Sequence, residues 1–207
     1  MKHLVFVGAG HAHLAPLSQT GQFVRAGARV TLIAPGEFWY SGMGPGMVSH
    51  FYEATDDTVD VERLVTAGGG NFVRDEVGRI DPEKRELHLR SGAVLGYDLL
   101  SLNVGSEVPL EKIEGAAEHG IPVKPIKNLL TLRERLTSDE ADARIVVVGG
   151  GAAGCEVCVN LWHLLDRAGR PKQLTLVSSE ARLLTQATPK ASVLLKKYIE
   201  QLGIELI

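Results

Sequence analysis

The sequence predicts an α/β fold in which a buried strand, a glycine turn and a helix occur in the same order twice. The first occurrence begins with the apolar run Leu4–Val7 and the second with Ile145–Val148, and glycines follow each run at once. A short apolar run that ends at glycine is typical of a parallel strand covered on both faces. The helix after such a strand directs unpaired N–H groups and its positive dipole end into the turn, where they favour an anion.

The composition excludes several classes of protein. The 207 residues are 44% hydrophobic, which is enough for one or two small domains with cores of their own. The net charge of −3 offers no basic surface for nucleic acid, and two cysteines favour a reducing, cytoplasmic location over a disulfide scaffold. The first apolar run is too short for a signal peptide, and no run approaches the roughly 20 residues of a membrane span.

The first unit begins as a β-α-β arrangement with short connections. Strand one is expected at residues 3–8, and strand two at Arg29–Ala34, where a Pro-Gly pair ends it. One helix is predicted between them, with Gly27 placed to cap it. The apolar residues that define its face are Leu14, Leu17 and Val24. Tight connections of this kind are what a parallel sheet requires.

The segment Phe38–Tyr52 follows strand two and has no clear periodicity. Its first ten residues include three aromatic residues, two methionines and three glycines. Two interpretations are open: a loop whose aromatics fill the core, or a loop that lies along a flat, partly apolar ligand. Its position directly after the second strand favours the ligand loop.

An antiparallel β-meander is predicted within the first unit, after a short helix at residues 60–67. Its strands are expected at Asn71–Val77, Glu86–Arg90 and Ala93–Tyr97. Leu99–Val104 then reads as a further buried parallel strand that ends in a turn at Gly105. Residues 107–125 are polar and contain three prolines, which indicates a crossover between domains.

The second unit is expected at residues 126–207, after a first domain at residues 1–125. Its expected elements are a helix at 129–136, a strand at 144–149, a helix at 152–168, a strand at 174–177, a helix at 192–202 and a strand opening at 204–207. An α/β domain that stops inside a strand lacks elements that would cover it, so we expect the chain to be a fragment of a longer protein.

The glycine runs indicate what the two turns bind. Gly149, Gly151 and Gly154 match the pattern G-x-G-x-x-G between a strand and a helix. The first glycine permits the turn, the second lets a pyrophosphate approach the backbone, and the third allows the helix to pack closely on the strand. The first run has Gly8 and Gly10 at the corresponding positions. The sequence therefore predicts two Rossmann-like dinucleotide-binding units.

His13 stands at the third glycine position of the first run. Either the first helix lies further from its strand, or the imidazole points away from the contact. His11 and His13 are either phosphate contacts or ordinary residues of a helix start, and the sequence leaves both interpretations open. The remaining histidines are scattered, and no spacing typical of a metal site is present, so we expect no metal.

The choice between NADH and NADPH also stays open. An acidic residue about 20 positions after each glycine run would bind ribose hydroxyls. Glu37 and Glu180 both come later than that, while Ser178 and Arg182 are compatible with a 2′-phosphate.

Cys155 and Cys158 form a C-x-x-C pair at the start of the second helix. They are either a redox pair or two small residues that pack the helix on its sheet. The burial common among free cysteines favours packing.

With both units in view, the sequence resembles the flavoproteins of the pyridine nucleotide-disulfide oxidoreductase superfamily. Within them it is similar to type II NADH dehydrogenases and sulfide:quinone oxidoreductases. The motifs His11–His13 and Tyr40–Gly46 are most similar to those of oxidoreductase-like proteins associated with selenophosphate synthetase. The resemblance covers nearly the whole chain. It implies FAD in the first domain and NAD(P)H in the second.

The resemblance also implies site residues. On the FAD side these are Gly8, Gly10, Ser41, Gly42, Met43, Val77, Asn103, Gly105 and Lys124. On the NAD(P)H side it implies Gly149, Gly151 and Gly154. The further candidates on this side, which come from their place beside the glycine run and at the end of the next strand, are Ala152, Ser178 and Glu180. Asn103 and Val104 depart from the Ala-Thr-Gly-like turn that relatives place beside FAD. No residue is assigned as a catalytic acid or base.

The function implied is an FAD-dependent oxidoreductase that takes a hydride from NAD(P)H and passes electrons to an acceptor such as a quinone. The alternatives are a non-catalytic nucleotide-binding module that senses redox state or docks on a partner, and a sulfide:quinone-type or thiol–disulfide oxidoreductase. In relatives a further C-terminal part supplies dimer, quinone or membrane surfaces. A homodimer and peripheral contact with the inner membrane are therefore also expected.

Overall fold

The computed structural model describes residues 1–138 and 144–207. Its strands are β1 (His3–Val7), β2 (Arg29–Ala34), β3 (Phe38–Trp39), β4 (Thr58–Val59), β5 (Asn71–Arg74), β6 (Val77–Asp81), β7 (Glu86–Leu89), β8 (Val94–Gly96), β9 (Leu99–Leu102), β10 (Arg144–Val148), β11 (Gln173–Val177) and β12 (Glu205–Leu206). Its α-helices are α1 (His11–Ser18), α2 (Thr20–Arg25), α3 (Gly44–Val48), α4 (Val61–Ala67), α5 (Ala116–His119), α6 (Asn128–Ser138), α7 (Ala152–Arg167) and α8 (Pro189–Gln201). Short 3₁₀ turns lie at Ala54–Asp56 and Leu110–Lys112.

By their internal contacts these elements form two compact units. Unit 1 comprises Met1–Tyr40 and Thr58–Glu107, and unit 2 comprises Ser41–Asp57 and Val108–Ile207. The boundary predicted after residue 125 separates an FAD-binding part from an NAD(P)-binding part, which is a different division from these two units. This assignment of a nucleotide to each part remains a prediction.

A four-stranded parallel sheet forms the centre of unit 1, in the order β5-β2-β1-β9. The strands β1 and β2 lie in the middle and are buried along most of their length, which is why both read as continuous apolar runs. Phe6 of β1 is opposite Leu32 on one side and Ser101 on the other. The strand order reverses between β1 and β9. The crevice at the carboxyl ends of these two strands is where open α/β sheets bind ligands.

Unit 1 differs from the sequence prediction in three places. The strand β9 is parallel as predicted but is not buried, because it lies at the edge of the sheet, where Leu99 and Leu102 are exposed. The single helix expected between strands one and two is two helices, α1 and α2, because Gln19 leaves the helical conformation, with φ −101° and ψ 11°.

The prediction of a single strand at Asn71–Val77 is also wrong. The strand β5 pairs in parallel with β2, whereas β6, β7 and β8 form the antiparallel meander. Asp75 and Glu76 take the chain from one sheet to the other, a change that alternation of residue types does not reveal.

The segment expected as a ligand loop contains a short strand and a helix. The strand β3 pairs antiparallel with β4 in unit 1, whereas α3 belongs to unit 2. Gly44 lets α3 approach α6, since a Cβ on Gly44 would lie 3.3 Å from the Leu129 side chain of α6 and 2.9 Å from that of Ile126, which precedes α6. Met47 and Val48 of α3 are fully buried.

Unit 2 contains a three-stranded parallel sheet in the order β10-β11-β12, against which α7 and α8 pack. Its core includes Val147, Leu161, Leu176 and Ile199. The helix α8 begins three residues earlier than predicted because the Thr188 hydroxyl accepts the Ala191 N–H at 3.3 Å and caps it. The predicted fold class, two Rossmann-like α/β units with a meander in the first, is confirmed.

Candidate nucleotide-binding sites

The first glycine loop, Gly8–His13, connects β1 to α1. Gly8 has a φ of +79°, which favours glycine, and its N–H donates to the Ile33 carbonyl at 2.8 Å. The Gly10 N–H donates to the Asn103 carbonyl at 3.1 Å. A Cβ on Gly8 would lie 2.7 Å from the carbonyl carbon of Asn103, and a Cβ on Gly10 would overlap the side-chain oxygen of Asn103. Both glycines are therefore needed to bring the loop against the end of β9.

His13 is buried within this loop, with 2% of its surface exposed. Its Nδ1 lies 2.6 Å from the Gly8 carbonyl oxygen, and its Nε2 lies 2.9 Å from Ser101 Oγ. The ring also packs edge-on against Phe6, with centroids 4.9 Å apart. The expectation that the imidazole could point away from the helix–strand contact is therefore wrong, because the ring fills that contact. Ser101 was missed in the sequence, where its signal was one hydroxyl within the apolar strand β9.

His11 is exposed at the start of α1. Its ring makes edge contacts with Phe38 at 4.8 Å and Tyr40 at 4.7 Å between centroids. The aromatic residues after β2 therefore pack on the first turn of α1. A phosphate contact by His11 remains a prediction.

A cavity of about 620 Å³ opens at the carboxyl ends of β1, β2 and β9. Gly8, Val77 and Gly105, three residues that the resemblance assigns to FAD, line it together. Hydrogen bonds from the Ser91 hydroxyl and the Glu76 amide lower the pKa of Asp75, so this cavity carries a carboxylate. Glu37 lines a different cavity, of about 380 Å³.

The second glycine loop, Gly149–Gly154, connects β10 to α7. Gly149 has a φ of +124°, and its N–H donates to the Val177 carbonyl at 2.8 Å. A Cβ on Gly154 would overlap the Gly149 carbonyl oxygen, so the third glycine allows the close packing that the motif predicts. A Cβ on Gly150 would lie 2.7 Å from Ser178 Cβ. Gly150 had no predicted role, and the closeness of Ser178, directly after β11, explains why a glycine stands there.

Both loops fit the diphosphate of a dinucleotide. Gly10 and Gly151 are the N-cap residues of α1 and α7, and neither helix start has a side-chain cap hydrogen bond. Apart from the His13 N–H, which donates to the Gly10 carbonyl at 2.9 Å, the N–H groups of the first turns therefore remain available to an anion. A Cβ on Gly151 would meet no atom within 4 Å, so space lies open in front of α7, where Ala152 is also exposed.

The end of β11 presents Ser178, Glu180 and Arg182. The Glu180 N–H donates to Ser178 Oγ at 3.2 Å, which holds the exposed Glu180 in a turn beside the second glycine loop. The Arg182 guanidinium donates to the carbonyls of Thr185 at 2.9 Å and Ala187 at 3.1 Å. Arg182 therefore supports its own loop.

Ser41, Gly42, Met43 and Lys124 were expected on the flavin side, yet they group with unit 2 rather than with Gly8. Two arginines of unit 2 hold the segment that follows Met43. Arg133 of α6 donates to the Met47 carbonyl at 3.0 Å, and Arg167 of α7 donates to the Ser49 carbonyl. Contact of Ser41–Met43 with a flavin remains a prediction.

Cys155 and Cys158 are both buried on α7. Burial raises the pKa of both thiols, that of Cys158 to about 11. A buried thiol with a raised pKa is a poor nucleophile. The packing interpretation is therefore the one that the structure supports, and thiol–disulfide chemistry is disfavoured.

Within residues 1–138 and 144–207, no three His, Cys, Asp or Glu side chains are grouped as metal ligands would be. Across the same residues, no helix combines the length and apolar character that crossing a bilayer demands.

The family model for pyridine nucleotide-disulphide oxidoreductases matches residues 2–207. The chain belongs to this family. The cofactors of this family are FAD and NAD(P)H, as the resemblance implied. Demethylphylloquinone reductase NdbB of Synechocystis sp. is 30% identical over an alignment of 115 residues, and the match covers 52% of this chain and 28% of that protein.

Solved structures share the fold over the whole chain. NDH2 from Plasmodium falciparum in complex with NADH superposes with a TM-score of 0.84 at 19% identity, covering 100% of this chain and 47% of NDH2. The sulfide:quinone oxidoreductase from Aquifex aeolicus gives 0.80 at 20% identity, covering 100% of this chain and 51% of that chain. The chain thus spans about half or less of the length of these relatives.

Proposed function

We propose that the chain binds FAD at the first glycine loop and NADH at the second, as the nucleotide-binding part of an oxidoreductase that passes electrons to a quinone. One observation carries this proposal. The strand–glycine–helix turn occurs twice, and each time the helix start has no side-chain cap. In each turn the neighbouring backbone leaves no room for a Cβ at one glycine, Gly8 in the first and Gly154 in the second.

The chain's own residues bind and orient the two nucleotides. The first-turn N–H groups of α1 and α7 would hold the diphosphates, and the cavity lined by Gly8, Val77 and Gly105 would take the adenosine end of FAD. When bound, the flavin supplies hydride acceptance and electron transfer, and the protein supplies placement. No side chain of the chain is assigned a proton-transfer role.

We propose NADH rather than NADPH as the reductant. Glu180 is exposed beside the second glycine loop, where a carboxylate would bind ribose hydroxyls and repel a 2′-phosphate. Arg182, the cation suited to a 2′-phosphate, already donates to two carbonyls of its own loop. Glu180→Gln should weaken NADH binding about tenfold and tighten NADPH binding. Titration of both nucleotides into both proteins measures this, and an unchanged affinity ratio would contradict the assignment.

Two of the similar proteins support a quinone as the electron acceptor. One is a demethylphylloquinone reductase and another a sulfide:quinone oxidoreductase. Peripheral contact with a membrane surface, where quinones are dissolved, is part of the same proposal, as is a homodimer. Cosedimentation with lipid vesicles and sedimentation velocity test these two points.

The visible spectrum of the purified chain tests the central proposal. After incubation with FAD and removal of the unbound cofactor by gel filtration, we expect a flavin spectrum, its bleaching by anaerobic NADH, and its return on addition of a water-soluble quinone. A chain that retains no flavin after this treatment would overturn the proposal. A chain that binds FAD and NADH without flavin reduction would instead be a nucleotide-binding module that performs no turnover.

A further inference from the structure

His13 and Gly154 occupy the same position of the two glycine loops, and the loops use that position in opposite ways. In the second loop a Cβ would overlap the Gly149 carbonyl oxygen, so nothing larger than hydrogen fits. In the first loop an imidazole occupies this position, and its Nδ1 lies 2.6 Å from the carbonyl oxygen of Gly8, the residue corresponding to Gly149. The same backbone carbonyl is thus packed against a helix in one unit and hydrogen-bonded by a side chain in the other.

The far side of the imidazole connects the loop to β9. Since the Gly8 carbonyl can only accept, Nδ1 carries the proton and Nε2 accepts from the Ser101 hydroxyl at 2.9 Å. Ser101 is the residue opposite Phe6 in the β1–β9 pair. The two hydrogen bonds therefore run from the glycine turn to the strand on the other side of the ligand crevice.

We propose that His13 is a positioning residue for FAD, which fixes the Gly8 carbonyl and with it the turn that directs the first amides of α1 at the diphosphate. This inference rests on the proposed function, since it assumes FAD at the first glycine loop. The imidazole is buried, with 2% of the residue exposed, so the role assigned to it is positioning of the turn and not direct contact with FAD. Its removal leaves the Gly8 carbonyl without this donor and opens a gap under α1, so the turn relaxes.

Two amide substitutions separate the hydrogen bond from the space that the ring fills. The side-chain nitrogen of asparagine lies where Nδ1 of histidine lies, whereas the glutamine amide reaches the place of Nε2. His13→Asn should therefore keep the Gly8 bond and bind FAD within about threefold of the unsubstituted chain. His13→Gln and His13→Gly should bind FAD at least about tenfold more weakly. His13→Gly is informative because it restores the third glycine of the motif.

The order of the variants distinguishes positioning from packing. If the ring only filled space, glutamine, which is closer to histidine in volume, would be tolerated better than asparagine. FAD affinity is measured by quenching of flavin fluorescence, and the visible circular dichroism of the bound flavin reports its placement. His119→Asn, a change at an exposed histidine of α5, is the matched control and should leave FAD affinity unchanged. Ser101→Ala should weaken FAD binding about threefold to fivefold.

NADH affinity and far-ultraviolet circular dichroism should stay unchanged in every variant, which verifies that the chain is folded. If the unsubstituted chain does not bind FAD, the proposed function and this inference both fall. If that chain binds FAD and His13→Gly binds it equally well, or His13→Gln binds better than His13→Asn, only the positioning role of His13 is overturned.

Discussion

Replacing Gly154 with alanine should destabilise unit 2 and weaken NADH binding together. A Cβ at this position would overlap the carbonyl oxygen of Gly149 and lie 3.0 Å from its carbonyl carbon. The obstacle is backbone at the end of β10 rather than a flexible side chain, so α7 itself must move. Overpacking of this kind costs about 1–3 kcal/mol. The same movement displaces the first-turn N–H groups, so the NADH dissociation constant should rise at least about tenfold.

Gly151→Ala provides the matched control. Its Cβ would meet no atom within 4 Å, and its φ of −78° suits alanine, so unfolding free energy should fall by no more than about 1 kcal/mol, the preference of an N-cap for glycine over alanine. The added methyl group enters the open space before α7, so NADH affinity should still fall. Urea unfolding and NADH fluorescence titration measure both quantities. An unchanged unfolding midpoint for Gly154→Ala, or normal NADH binding by both variants, would refute the reasoning.

The other predictions concern buried titratable groups. Burial raises the pKa of Asp57, whose carboxylate oxygens have no hydrogen-bond partner among the described residues, from 3.8 to about 6. The folded state therefore binds the proton more tightly than the unfolded state, and stability falls as pH rises from about 4 to above 6. Asp57→Asn should therefore increase the unfolding free energy at pH 8 by up to about 3 kcal/mol and raise the melting temperature there, but it should change neither at pH 3.5. Equal melting temperatures at pH 8 would contradict this. Burial lowers the pKa of His3 below 6.5, so the folded state resists protonation of this imidazole and stability falls as pH drops below that value. Acidification from pH 7.5 to 5.5 should therefore lower the unfolding free energy of the unsubstituted chain more than that of the His3→Gln variant, as urea unfolding at both pH values would measure. Cys155 and Cys158 should resist Ellman's reagent in the folded chain and react in denaturant, and rapid labelling of the folded chain would argue against their burial.

The strands and glycine loops were predictable because local sequence determines them. An apolar run bounded by glycine has few other structures open to it, and Gly154 is required by a carbonyl only five residues earlier. The same holds for the meander, whose turns are short. The boundary between β5 and β6 was missed because both strands are extended and only their partners differ.

Contacts between distant parts of the chain were not predictable in this way. The hydrogen bond between His13 and Ser101 joins residues 88 positions apart, and the sequence around either residue gives no indication of the other. The packing of α3 depends on Arg133 and Arg167, which donate to backbone carbonyls that exist at every residue. Composition around Gly44 gave no helical signal, because the helix there is stabilised by burial of Met47 and Val48 rather than by propensity.

The path of the backbone has a consequence for any attempt to divide the molecule. The chain passes between its two units after Tyr40, again after Asp57 and a third time after Glu107. No single cut therefore separates them, and a polypeptide that started at Val108 would be missing α3 and the apolar cover it lays over α6 and α7. Cleavage or gene dissection at that point would release a segment with an exposed apolar groove, prone to self-association, instead of an independently folded domain.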